Sequence, residues 1–177
     1  MDKLKNLKVI IDNGVALITI DRPRVLNALN EETLKELSEV FQKRMKKDDV
    51  VAIIVTGSGD KAFVAGADIR ELAQLDLIDS RNKSIRGQVV CEIIENFPKP
   101  VIAAINGYCL GGGCELALSC HIRLMAREAK IGFPEVKLGV IPGYAGTQRL
   151  SRLIGKGRAM EMILSGENIS AEQAEKI

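Results

Sequence analysis

Asn106-Gly107-Tyr108-Cys109-Leu110-Gly111-Gly112-Gly113-Cys114-Glu115 is the stretch on which the reading of this chain turns. The apolar run Pro100-Val101-Ile102-Ala103-Ala104-Ile105 leads into it and predicts a strand buried on both faces, while Glu115-Leu116-Ala117-Leu118 has helical composition. The consecutive glycines therefore stand where a strand gives way to a helix. Glycine permits positive φ and close backbone approach. The first N–H groups of a helix lack internal partners and sit at the positive end of its dipole, so this turn can offer donors to an oxygen gaining negative charge. The same glycines suit a tight packing of helix on strand, and at this point both readings stand.

A second stretch of the same character lies upstream. Lys61-Ala62-Phe63-Val64-Ala65-Gly66-Ala67-Asp68-Ile69-Arg70 follows the apolar strand Val50 to Thr56 and again sets small residues where backbone must approach something. Two such loops could supply one N–H each.

Working outward, Gly14 to Ile20 predicts a strand, closed by Asp21-Arg22-Pro23. Asn30 reads as an N-cap, with Leu34, Leu37, Val40, Phe41 and Met45 at helical spacing after it. Asp68 to about Phe97 predicts mostly helix, carrying Val89, Val90, Ile93 and Ile94 and stopped by Pro98 and Pro100. A strand over His121 to Ala126, an extended piece near Lys130 to Phe133, and helices over Thr147 to Ile154 and Gly157 to Leu164 follow. Ser170-Ala171-Glu172-Gln173 resembles a capped helix start. Strands alternating with helices predict an α/β architecture, a parallel sheet or spiral, in one domain over residues 1–177.

Composition narrows the function classes. With 46% apolar and 27% charged residues over 177 positions, the chain can bury a substantial core. A net charge of +2 and 3% aromatics indicate neither a nucleic-acid stripe nor a base-stacking platform. No basic-then-apolar leader or bilayer-length apolar run occurs, and a cytoplasmic location is expected. Cys91, Cys109, Cys114 and Cys120 lie in apolar surroundings and read as reduced core residues. Cys114, Cys120 and His121 lack zinc spacing, so no metal is expected. Gly57-Ser58-Gly59-Asp60-Lys61-Ala62 fits a dinucleotide pattern only until Phe63-Val64-Ala65-Gly66, which does not open a helix. No G-x-S-x-G occurs, and adjacent Cys120 and His121 would point to opposite faces of a strand. Two carboxylates remain after glycine- or proline-bearing apolar segments: Glu115, and Glu135 in Ile131-Gly132-Phe133-Pro134-Glu135.

Several motifs, in order, resemble the crotonase superfamily and within it enoyl-CoA hydratase. They are Arg22 to Leu29, Phe63 to Ile69, Lys99 to Glu115, Phe133-Pro134-Glu135 and Gly139 to Leu150. The resemblance covers essentially the whole chain. It implies a spiral of β-β-α turns whose C-terminal helical trimerisation region is absent or truncated here, since the chain ends just after a helix start. It implies an oxyanion hole at the N–H groups of Ala67 and Gly112, Glu115 activating water, Glu135 protonating Cα, and Gly143 at a helix start polarising water or Glu135. Arg24, Ala65, Gly66, Asp68 and Ile69 would bind coenzyme A.

The implied activity is reversible hydration of short-chain trans-2-enoyl-CoA to 3-hydroxyacyl-CoA, a lyase reaction of fatty-acid β-oxidation needing no cofactor beyond the coenzyme A of the substrate. Enoyl-CoA isomerisation, or a weakly active acyl-CoA-binding fragment, are the alternatives. The implied partners are the thioester and further copies of the chain as trimer or hexamer, with neither nucleic acid nor membrane. His121, Tyr144 and Phe133 depart from the family's usual residues, and Tyr144 would narrow the acyl pocket.

Overall fold

The structure, a computed structural model, describes residues 4–177. Strands β1 (Leu7–Asp12) and β2 (Val15–Ile20) form an antiparallel hairpin. Asn13 and Gly14 turn it with positive φ at both positions, the geometry that matches strand twist across a two-residue loop. Strand β1 was not anticipated. It is an edge strand in which only Leu7 is buried, so its sequence lacks the regular alternation that marks a half-buried strand.

Strands β3 (Ala52–Gly57), β5 (Val101–Ile105) and β7 (Ile122–Met125) complete a five-stranded sheet of order β1-β2-β3-β5-β7, parallel from β2 onward. A second sheet, order β4-β6-β8-β9, is built from β4 (Ala62–Val64), β6 (Tyr108–Leu110), β8 (Lys130–Gly132) and β9 (Asn168–Ser170). Its first three strands are parallel and β9 is antiparallel. Each successive pass, β3-β4, β5-β6 and β7-β8, gives one strand to each sheet, and this is the expected spiral.

Helix α1 (Glu31–Glu39) is capped by Asn30, whose side chain accepts from the N–H of Thr33. It runs into a π-helical turn at Val40–Arg44. The mostly helical stretch expected from Asp68 consists of two helices, α2 (Ile69–Leu72) and α3 (Leu77–Glu95). Asp76 caps the second, and its side chain competes for the backbone where a single helix would need regular dihedrals. Helices α4 (Gly112–Ser119), α5 (Gly146–Ile154), α6 (Lys156–Ser165) and α7 (Ala171–Glu175) follow, the last with a complete capping box from Ser170 and Gln173.

The core lies between sheet and helices. Ile18, Ile20, Ile53, Val55, Val101 and Ala103 face Leu37, Phe41, Val90, Ile94 and Leu116, and Phe41 and Phe97 meet edge-to-face at 5.3 Å. Strand β5 alternates buried and half-buried residues where full burial on both faces was expected. The four cysteines are free and buried. Among the described residues, no helix is long and apolar enough to cross a membrane.

Candidate active site

The glycine turn combines an unpaired backbone donor with close packing of helix on strand, at different residues. Strand β6 ends at Leu110, and Gly111 follows with φ 50° and its N–H bonded to the carbonyl of Gly132. Gly113 is the packing glycine: a Cβ there would sit 2.1 Å from the carbonyl oxygen of Val64, so α4 rests directly on β4. Gly112 begins α4, and its N–H is one of the helix's unpaired first donors.

The upstream loop brings a second such donor. The N–H of Leu29 donates to Gly66 and the N–H of Asp68 donates to Leu29, each at 2.9 Å, in a parallel bridge centred on Ala67. In that geometry the N–H of Ala67 points away from Leu29. Among the described residues, neither the Ala67 nor the Gly112 N–H donates to another group of the chain. The two lie close together, since the nitrogen of Ala67 is 3.6 Å from where a Cβ on Gly112 would be.

Glu115, one turn into α4, is 1% exposed. Its Oε1 accepts from the N–H groups of Tyr144 and Gly146, both at 2.7 Å. Helix α5 thus directs its N-terminal donors at Glu115. Gly143, expected at a helix start, lies three residues before α5 and offers its carbonyl to Gln88 Nε2 at 2.9 Å. The sharp turn at Ala145, with φ 70°, postpones the helix to Gly146. Burial pushes the Glu115 carboxyl up to about 7, against the two amide hydrogen bonds; the carboxyl of Glu135 nearby adds to the rise and Arg149 offsets part of it.

Glu135 sits on a 3-10 turn, Pro134–Leu138, and is half-buried. Its Oε1 is 2.8 Å from the position a Cβ on Gly111 would take, which places it at the mouth of the glycine turn. Burial raises its carboxyl above the ordinary value, opposed only by its own backbone N–H, and its Oε2 is buried with no hydrogen-bond partner. Two carboxyls and two free N–H groups therefore converge on one small volume.

The residues expected to meet coenzyme A divide. Ala65, Gly66, Ala67, Asp68 and Ile69 form one continuous rim, with Gly66 at φ 100° and Ile69 61% exposed. Asp68 also has structural duties. It caps α2 and pairs with Arg22 at 3.0 Å; although burial works against it, this pairing holds its carboxyl below the ordinary value. Arg24 is exposed on the turn Pro23–Val25, beside a cavity of about 280 Å³ that it shares with Lys61.

Several residues of the site were not anticipated. Arg149 donates to the carbonyl of Tyr144 and to Glu95, steadying the turn that holds Glu115. Buried Lys83 pairs with Glu71, which also accepts from the N–H of Glu31, so α2 is tied to α1 and α3 just beyond Ala67. Charged residues on a helix face read as solvated in a sequence, and only the fold turns Lys83 inward. A larger cavity, about 700 Å³, is lined by Cys114 and Leu118 of α4 together with Leu150, Met162 and Ile177, and includes neither glutamate.

Comparison with known proteins places this geometry. Residues 10–177 match the family described as enoyl-CoA hydratase/isomerase. The chain is 48% identical over 175 residues to a short-chain-enoyl-CoA hydratase of Clostridium acetobutylicum, covering 99% of this chain and 67% of that protein. It is 46% identical over 166 residues to a crotonyl-CoA hydratase of Syntrophomonas wolfei, covering 94% and 64%. The crystal structure of an enoyl-CoA hydratase from Bacillus anthracis superposes with a TM-score of 0.94 at 42% identity, over 97% of this chain and 67% of that one. The chain thus spans about two thirds of the length of these relatives. Matched by that family's model over residues 10–177, and 48% identical to a relative of which it covers 67%, the chain belongs to the enoyl-CoA hydratase/isomerase family.

Proposed function

We propose that the chain adds water reversibly across the double bond of short-chain trans-2-enoyl-CoA thioesters, giving 3-hydroxyacyl-CoA. The observation that carries this reading is the pairing of one buried and one half-buried carboxyl, in unlike surroundings, beside two unoccupied backbone donors. The thioester oxygen would accept from the N–H groups of Ala67 and Gly112. As water bonds to Cβ, the π electrons move toward Cα and the carbonyl, and the oxygen becomes enolate-like. One preorganised donor of this kind contributes about 3 kcal/mol to such a transition state.

Glu115 takes the proton from the attacking water and Glu135 delivers one to Cα. The division follows from their contacts. The anion of Glu115 is met by two amide donors, whereas that of Glu135 has no donor beyond its own backbone N–H. A base poised near neutrality is well matched to its task. Glu135 is the more open of the two, so a thioester lying over it removes more of its water and favours its protonated form.

In the same reading, Arg24, Ala65, Gly66, Asp68 and Ile69 meet the coenzyme A portion, and Gly143, in the turn before α5, polarises water or Glu135. The chain works in the cytoplasm, in fatty-acid β-oxidation, as part of a homo-oligomer, and without a cofactor of its own. The test is to mix the folded 177-residue chain with crotonyl-CoA and follow the loss of enoyl-thioester absorbance with product identification. Formation of 3-hydroxybutyryl-CoA is expected. A shifted double bond without hydroxyacyl product would replace hydration by isomerisation, and thioester binding without turnover would leave only an acyl-CoA-binding protein.

A further inference from the structure

Residues 67–82 run from Ala67 to the second turn of α3 without one buried side chain. Helix α2, within that stretch, is four residues long and buries none of them; Ile69 is 61% and Leu72 38% exposed. A single helical turn gains too little from its own hydrogen bonds to hold itself in place. Yet α2 begins two residues after Ala67, so any drift of α2 is passed to that N–H.

Polar contacts supply what apolar packing does not. Glu71 of α2 lays its carboxylate on the start of α1, where its two oxygens accept from the N–H of Glu31 at 3.2 and 3.1 Å. The unpaired first donors of α1 and its dipole favour an anion there. The same carboxylate pairs with Nζ of Lys83, whose side chain is 3% exposed. Lys83 is the first buried residue after Gly66. One turn further along α3, Gly87 meets the ring of Tyr144 so closely that a Cβ would fall 2.1 Å from it, and Gln88 donates to the Gly143 carbonyl. Helix α3 thus stands against the turn that holds Glu115, and through Lys83 it also grips α2.

We propose that Lys83 is a positioning residue for the reaction: its buried pairing with Glu71 fixes α2, and with it the N–H of Ala67, relative to the turn that holds Glu115. This rests on the reading of Ala67 as a donor to the thioester oxygen. Lys83 acts through Glu71, not by contact with the thioester. An apolar side chain at the same place would fill the space without direction. A buried ammonium must instead keep its carboxylate, because separating the two leaves an uncompensated charge.

The carbonyl of a bound thioester reports its donors directly. Isotope-edited infrared spectroscopy of butyryl-CoA, labelled with heavy carbon at the thioester carbonyl, should show the stretch moving to lower frequency on binding to the 177-residue chain. In Lys83→Met that shift should fall to about half or less, and kcat for crotonyl-CoA should drop about 10- to 100-fold with KM within about threefold. A merely structural role would lower the folded fraction and leave the shift of the folded protein in place. Should Lys83→Met fail to fold by circular dichroism, Lys83→Met/Glu71→Gln removes both charges at nearly constant volume and should fold, with the same loss of shift. Arg86→Met, which breaks the exposed pair with Glu31 between α1 and α3, should leave the shift unmoved. An unchanged shift in a folded Lys83 variant, an equal loss in Arg86→Met, or failure of both Lys83 variants to fold would overturn the proposal. A parent chain that binds no butyryl-CoA, or binds it without a shift, would overturn the Ala67 reading as well. A shift without hydration of crotonyl-CoA would refute hydration while leaving Lys83 to be judged by the spectrum.

Discussion

The two turns that present carboxyls to the site solve the same electrostatic problem in opposite ways. Glu115 is the more deeply buried, yet its Oε1 is met by the N–H groups of Tyr144 and Gly146 at the start of α5. Glu135 stands on a 3-10 turn with its Oε2 buried and unpartnered. Desolvation raises both groups. One anion is supported by the chain itself, and the other carboxyl is left for whatever enters the site. In the proposed reaction, this contrast lets two groups of identical side-chain chemistry serve as base and acid.

Removing either group should give the largest effect. Glu115→Gln and Glu135→Gln are each expected to lower kcat for crotonyl-CoA by about 100- to 10,000-fold, read by enoyl absorbance. Near-normal turnover in both would dissolve the contrast. Next comes the platform beneath Glu115. Gly113→Ala places a Cβ 2.1 Å from the Val64 carbonyl, and urea unfolding should show a loss of about 3 kcal/mol as α4 is lifted from β4.

Stability should also separate the two acids through pH. Glu115 holds its proton up to about 7 when folded, against an ordinary 4.5, so between those values the folded state binds more protons than the unfolded one. Its contribution is therefore fully present below about pH 4.5 and is lost as pH rises through 7. Glu115→Gln removes this penalty on the ionised form. The variant should match the parent near pH 4.5 and exceed it by about 3 kcal/mol above pH 7 in denaturant titrations. Glu135→Gln should show a smaller gain, because its carboxyl is only half-buried. Equal gains would mean that the two amide donors fully offset the deeper burial of Glu115.

The smallest effect concerns Arg149, which stabilises the ionised form of Glu115 and holds the Tyr144 carbonyl. Arg149→Met should move the acid limb of the kcat/KM profile upward by about half a pH unit. A limb that does not move would place the support of Glu115 in the amides alone.

Much of this was legible before the fold. The glycine run, the two acids, the small-residue loop at Ala65 to Asp68 and the alternation of strands with helices are local signals, and the spiral with its paired loops follows from them. Other features escaped for definable reasons. Strand β1 is an edge strand with little buried alternation. The break between α2 and α3 depends on the Asp76 cap, and the start of α5 depends on a positive φ at Ala145 that an alanine does not advertise.

By itself, the sequence determined the α/β spiral, the family and the two candidate acids, because periodicity and motif order are properties of neighbours along the chain. Only the tertiary structure decided which helix end supports which carboxylate, that Gly112 and Gly113 divide the two uses of the glycine turn, and that the Tyr144 ring lies against Gly87. Those relations join residues about 30 to 60 positions apart, and their energies arise from desolvation and contact, which exist only once the chain has folded.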